Sequence, residues 1–442
     1  MYWTCYPVLA LLFHPIVQLV LVILLDVLKN RQKQMRFRRS FATEEKYPDV
    51  AWERWCRMTP DQAQEILQGL IEYEFPFAFG ASVSFALLKV YGIPSISRLL
   101  VRTGEFSDIK KVSKRTADTG VLLLEFCLNK PSSQRHIEAV ARMNSLHEPY
   151  IRQKEVSQTD MLYTLSLFVL EPIRFIEKRE WRDLSHVEVA AIGTFWKAVA
   201  EEMNIDYATI LPKSESYYCD GFEFVQRLEV WSAFYEIRRM QPAESNRKLV
   251  DAQIEGLLYN LPNSFKTFGL WMISSLAEDH VLRAIGLYRP PTIFRILLKM
   301  FWTLRRWVMR YLMLPRSTPR KYIEENSGSK DKHQLTDYLI HPWYVNPTFS
   351  NRWGLRAYTN RVFERKNPGD DGSTFLPEGY RIDEVGPAVG AGMGKDWMEK
   401  ERARLQDLDL GKCPFGPVPE RRYRGMMMAT GEVEMMPISE GV

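Results

Sequence analysis

Paired cysteines are missing from this chain. Its five, Cys5, Cys56, Cys127, Cys219 and Cys413, fall at no spacing that a zinc site or a disulfide framework requires, so reduced thiols are expected. A glycosylation acceptor is missing as well, since Asn346-Pro347-Thr348 is spoiled by its proline. Hairpin signals between apolar runs are almost absent, and the Asp371-Gly372 pair lies in a polar stretch. That excludes a sandwich or barrel. Charge of one sign is not in surplus either: 59 Lys and Arg against 54 Asp and Glu leave a net +5. Lys29, Arg31, Lys33, Arg36, Arg38 and Arg39 account for that surplus, so the rest is nearly neutral and nucleic acid is not an expected partner. The mean hydropathy of -0.26 excludes a polytopic membrane protein.

What is present begins at the N-terminus. Pro7 to Leu25 carries no formal charge, and at about 1.5 Å per residue it spans roughly 30 Å, the hydrocarbon thickness of a bilayer. No basic residue precedes it and no Ala-x-Ala pattern follows, which favours an anchor over a cleaved signal, although His14, Pro15 and Gln18 interrupt the run. A buried core helix is the third reading. The basic cluster behind it keeps the following chain cytosolic and suits anionic headgroups. We therefore expect an anchor over 1–28, a basic juxtamembrane segment over 29–44 and a body confined to a membrane surface.

Helical periodicity dominates that body. The spacing predicts helices at about 60–71, 82–90, 113–128, 134–152, 160–177, 186–203, 222–240, 248–258 and 265–287, with Gly92-Ile93-Pro94 as a break. One large all-α domain over 45–320 is the expected fold. Thr292 to Leu314 sets Arg295, Lys299, Arg306 and Arg310 on one face and Phe294, Leu297, Phe301, Val308 and Tyr311 elsewhere. Such a helix lies in a membrane interface or forms a long core helix with a solvated basic edge. Ser317 to Lys332 reads as an exposed linker, and 321–442 as linker and irregular tail packed on the domain.

Two motifs fail on inspection. Gly390-Ala391-Gly392-Met393-Gly394-Lys395 would need glycine where Val389 stands and a hydroxyl residue where Asp396 stands to be a phosphate loop. Gly411-Lys412-Cys413-Pro414-Phe415-Gly416 lacks the upstream framework of a haem-thiolate cysteine. No Gly-x-Ser-x-Gly or His-Glu-x-x-His occurs.

Histidine is scarce, seven in all. His186 opens a helix, His280 follows Glu278-Asp279 and should make local ion pairs, and His136 sits beside Arg135. His147 differs, because Ile137, Val140, Asn144 and His147 repeat at three and four residues along a buried face. On the preceding helix Arg115, Asp118, Thr119, Leu122 and Phe126 share a face. A buried histidine is commonly just a hydrogen-bonded core residue, and a buried Arg and Asp can pair structurally. A neutral imidazole facing a polar interior in an all-α protein is also the arrangement that holds a haem iron.

Several stretches together carry a resemblance. They are Glu74-Phe75-Pro76-Phe77, Tyr91-Gly92-Ile93-Pro94-Ser95-Ile96-Ser97, Lys114-Arg115-Thr116-Ala117-Asp118-Thr119 and Ala141-Arg142-Met143-Asn144-Ser145-Leu146-His147. Leu162-Tyr163-Thr164-Leu165, Ala191-Ile192-Gly193-Thr194-Phe195-Trp196-Lys197, Asn351-Arg352-Trp353-Gly354 and Gly411-Lys412-Cys413-Pro414-Phe415 continue it. In their order and spacing the chain resembles, over nearly its whole length, the mpaB and rubber (latex-clearing) oxygenase family of haem proteins, on its fungal branch bound to the endoplasmic reticulum. The resemblance implies haem b with His147 as the iron ligand, and Arg115 and Thr119 in the family's Arg-x-x-x-Thr near the haem. Asp118 stands where rubber oxygenases carry lysine, and their glutamate base has no counterpart beyond Glu105. The implied reaction is cleavage by dioxygen of a carbon–carbon double bond in a prenyl, farnesyl-like side chain of a secondary-metabolite intermediate. Hydroxylation, epoxidation and non-catalytic haem or lipid binding are the alternatives on the same scaffold. The implied place is the endoplasmic reticulum membrane, crossed once.

Overall fold

Small polar residues and prolines decide where the helices begin. The computed structural model describes residues 57–106, 108–211, 220–313, 316–326, 331–363, 365–387, 395–408 and 412–415. The expected anchor, the basic segment and the Gly390–Gly394 run lie outside them. Thr59 and Gln62 form a capping box that opens α1 (Pro60–Gly69), which runs on into a π-helical turn, Leu70–Glu74. Proline then starts α2 (Pro76–Val90) and α3 (Pro94–Thr103), where it gives up no hydrogen bond. Asp108 caps α4 (Ile109–Leu128), Ser133 caps α5 (Gln134–Arg152), Ser157 caps α6 (Gln158–Arg179), and Ser185 with Glu188 boxes α7 (His186–Glu202). Next come α8 (Gly221–Arg239), α9 (Glu244–Leu257), α10 (Asn263–Ser274), α11 (Asp279–Ile285) and α12 (Thr292–Tyr311).

The expected all-α architecture is what forms, with three departures. Pro94 was read as a break; it breaks α2 and also serves as the first residue of α3. The periodicity over 265–287 is continuous, yet Glu278 turns extended to cap α11 and splits the segment in two. Beyond α12 the chain is more ordered than a linker and tail. The described part of Ser317–Lys332 is tied down, because Arg320 donates its N–H to the Glu72 carbonyl at 2.9 Å. There β1 (Ile323–Glu325) pairs antiparallel with β2 (His333–Leu335), which also bridges to Tyr380 and Val345. Further on come α13 (Leu355–Val362) and α14 (Lys395–Asp407).

Two buried clusters make the core. One joins α1, α4, α5, α6 and α7 with Trp343, Tyr344, Phe375 and Tyr380 of the C-terminal segment. The other joins α2, α3, α6, α9 and α11 through residues such as Phe85, Leu88, Tyr163, Leu249 and Leu282. Among the described residues no single helix is long and apolar enough to cross a membrane. Only α2 and α3 together reach that apolarity, as a pair bent by 95°, and α2 is largely buried in the core.

The tightest joint is between α7 and α8. A Cβ on Gly193 would lie 2.0 Å from the Gly221 carbonyl, and one on Gly221 would lie 2.0 Å from that of Ala190. The obstacle is backbone on both sides, so neither side can yield by a rotamer change. Gly193→Ala should therefore destabilise by at least the 1–3 kcal/mol typical of overpacking, about 2 kcal/mol, read as a lowered urea midpoint. An unchanged midpoint would mean the two helices can separate freely.

Candidate functional site

The site is built on α4 and α5, which run antiparallel side by side. At one end the His136 ring, near the start of α5, places Nδ1 3.0 Å from the carbonyl of Phe126, near the end of α4. Eleven residues further along α5 stands His147, and eleven residues back along α4 stands Arg115, so at about 1.5 Å per residue the two meet some 16 Å away. Thr119 sits one turn beyond Arg115 on the same side of α4.

His147 has the attributes of an open ligand. Its Nδ1 is sealed from solvent and has no hydrogen-bond partner, while the residue as a whole is only half-buried. Burial pushes its pKa down to about 4, with the positive charge of Arg115 adding to the effect and the Met143 carbonyl opposing it. The imidazole is therefore neutral near pH 7, the form that binds a metal. Arg115 has no carboxylate partner among the described residues, and its charge also reaches Tyr91, whose phenol burial pushes up to about 12. Tyr91, at the end of α2, is buried against Phe106 and was not singled out from the sequence. Arg115 and His147 thus come close enough for the charge of one to act on the other, and Thr119 lies one turn along α4 from Arg115.

Asp118 is placed elsewhere. Both its oxygens accept from Lys114 Nζ, at 2.6 and 2.8 Å, and Tyr344 donates its hydroxyl to it at 2.7 Å. Burial and the Asp118 carboxylate drive the Tyr344 phenol far above its ordinary pKa, so it stays a donor. Asp118, expected as a catalytic group beside Arg115 and Thr119, ties α4 to the C-terminal segment through these bonds. Nearby, Ser113 accepts from Trp343 Nε1 at 3.0 Å, and Glu125 accepts from Tyr380 at 2.6 Å and from Arg135. Nothing local marks the aromatic partners Trp343, Tyr344 and Tyr380, which lie more than two hundred residues from the groups they bond.

Three more predicted groups have structural duties. Asn144 donates to the Glu202 carbonyl at 2.9 Å and to Glu401 of α14 at 2.8 Å. His136 is fully buried, with Nε2 2.8 Å from Glu202; burial pulls its pKa down, but that carboxylate and the Phe126 carbonyl win and hold it raised. His280 makes one local pair, as expected, with Glu278 at 3.6 Å, and a shorter one with the distant Glu236 at 2.7 Å. Those three groups are close enough to share a cation, but Lys89 already neutralises Glu236 at 2.8 Å.

Curated fungal proteins match the chain over 57–87% of its length. The ER-bound oxygenase mpaB' of Penicillium brevicompactum is 36% identical over 385 residues, which cover 87% of this chain and 91% of that protein. The ER-bound oxygenase mpaB of the same species is 34% identical over 354 residues, 78% of this chain and 82% of that protein. A Penicillium roqueforti protein of the same name is 39% identical over 251 residues, 57% and 84% respectively. No protein-family model matches the chain.

Proposed function

Given that this chain belongs to the mpaB family of ER-bound oxygenases, we propose that it is a haem-dependent oxygenase that splits a carbon–carbon double bond in the prenyl side chain of a hydrophobic secondary-metabolite intermediate. The observation that carries this reading is His147: neutral, with a buried Nδ1 left without a partner and the charge of Arg115 close by. Those residues suit haem b, and His147 would supply an imidazole nitrogen to its iron. When bound, the haem supplies dioxygen activation and electron transfer, which no side chain here provides.

The protein's own contributions follow from its residues. His147 holds its position because α5 is clamped at both ends, by His136 at the start and by the packing of α14 along it. Arg115 offers a fixed positive charge and N–H donors to an anion, and Thr119 offers a hydroxyl one turn away. Tyr91, kept protonated at neutral pH, can donate a hydrogen bond towards the same space. Asp118 acts as a positioning residue, fixing the α4 turn that carries Arg115 and Thr119 through Lys114 and Tyr344. The substrate is an alkene of low solubility, dioxygen is the co-substrate, and the working place is the endoplasmic reticulum membrane with the body on its cytosolic side.

The test is oxygen consumption by the detergent-purified, haem-reconstituted full chain with a farnesylated aromatic, together with product masses. Loss of a terminal isoprenoid fragment as a carbonyl compound is expected. Addition of one oxygen atom to an intact chain would replace cleavage by hydroxylation or epoxidation. No uptake with any prenylated compound by a haem-loaded protein would leave a binding protein.

A further inference from the structure

α12 has three faces where a core helix has two. Phe294, Leu298, Trp302, Arg305 and Met309, spaced by three and four, form the side turned to the protein, where Trp302 packs against Phe175 at 6.2 Å and Arg305 pairs with Glu180 at 2.9 Å. Of the whole helix, only Phe294 is fully buried. A second row, Ile293, Leu297, Met300, Leu304, Trp307 and Tyr311, also recurs at three and four residues and stands exposed; Met300 and Leu304 are each 62% accessible. A third row is basic: Arg295, Lys299, Arg306 and Arg310 run alongside the apolar one. No acidic residue occurs in α12 at all.

An outward apolar stripe of this length is costly in water, and scattered exposed side chains do not line up this way. It also continues into its neighbour. Phe265 and Phe268 of α10 are exposed, and Phe268 meets Phe294 edge-on at 5.3 Å. Leu312 and Met313 extend the patch past the other end of α12. Tryptophan and tyrosine on the apolar row with arginine and lysine along its edge match a helix lying in the plane of a bilayer, rings at headgroup level and cations reaching anionic lipid. Arg306 already faces Asp183 at 4.0 Å; a protein partner would need acids to meet Arg295, Lys299 and Arg310 beside the stripe, whereas an anionic leaflet offers them everywhere.

We propose that α12, with the exposed phenylalanines of α10, is a membrane-docking surface that lies flat in the headgroup region of an anionic leaflet. This assignment does not depend on haem or on the reaction. It gives the folded body its own contact with the bilayer, separate from any segment near residue 1, and fixes the orientation of the body against it.

The experiment places the photo-crosslinker p-benzoylphenylalanine at Met300 in the full chain, reconstituted into phosphatidylcholine vesicles with and without phosphatidylserine. Glu378, on β2's neighbouring loop, is the control position. Lipid adducts at 300, severalfold above those at 378 and reduced severalfold when phosphatidylserine is omitted, are the expected result. Crosslinks from 300 to another part of this chain or to a second copy would overturn the proposal, as would adducts equal at both positions. Leu297→Glu with Leu304→Glu should abolish the adduct at 300 while leaving the helical circular dichroism unchanged; an undiminished adduct would likewise overturn it.

Discussion

Alanine at His147 should yield a folded protein that no longer retains haem. The side chain is half-buried and its Nδ1 has no hydrogen-bond partner, so little of the fold depends on it. What is lost is the donor itself: the depressed pKa, about 4, means that no proton competes for the imidazole at neutral pH. Axial ligation is the strongest single bond the site can offer, and Arg115 and Thr119 cannot replace it. The measurement is the absorption spectrum of detergent-purified wild type and His147→Ala in ferric and dithionite-reduced forms, beside circular dichroism. We expect the Soret band to be lost, or strongly shifted, with helical content unchanged, and free imidazole to restore part of it. A Soret band of wild-type position and intensity in the variant would remove His147 as the ligand.

The second large effect concerns stability. In Glu202→Ala, His136 loses its partner while remaining fully enclosed, and breaking a buried pair in this way costs about 3–5 kcal/mol. The pair should also make stability depend on pH. The folded-state pKa of His136 is raised above its unfolded value of about 6.5, so the native state binds the proton more tightly than the unfolded chain does. Its stabilising contribution is fully present below about pH 6.5 and disappears as pH rises through the folded value. Urea midpoints of wild type and Glu202→Gln should therefore lie furthest apart in mild acid and converge towards alkaline pH. Midpoints that stay parallel across that range would show that the pair does not carry the proton.

Much of the frame could be read from residues alone because the decisive signals are local. α5 runs over the span its periodicity predicts because Ser133 supplies a cap within hydrogen-bonding reach. The face containing Arg115 and Thr119, and the singularity of His147, follow from helical spacing and from the scarcity of histidine. Legibility ends where a partner is distant in sequence. Asp118 looks the same on a helical wheel whether it enters a site or meets Tyr344, and the choice depends on where a segment two hundred residues later comes to rest. The cap formed by Glu278 is equally silent, since the apolar period continues on both sides of it. Charge and apolarity on α12 were plain, but which row faces the protein is decided only by what Trp302 and Arg305 touch.

The struts on α4 and α5 have a consequence for biosynthesis. By residue 152 a ribosome has made both helices of the site, yet Tyr344, Tyr380 and Glu401, which brace them, are still to come. At about 5–20 residues per second that interval lasts on the order of 10–50 s, during which the nascent hairpin carries Asp118 and Glu125 without their later partners. Completion of this bracing is consequently a late event, timed by the emergence of α14 rather than by α4 and α5 themselves.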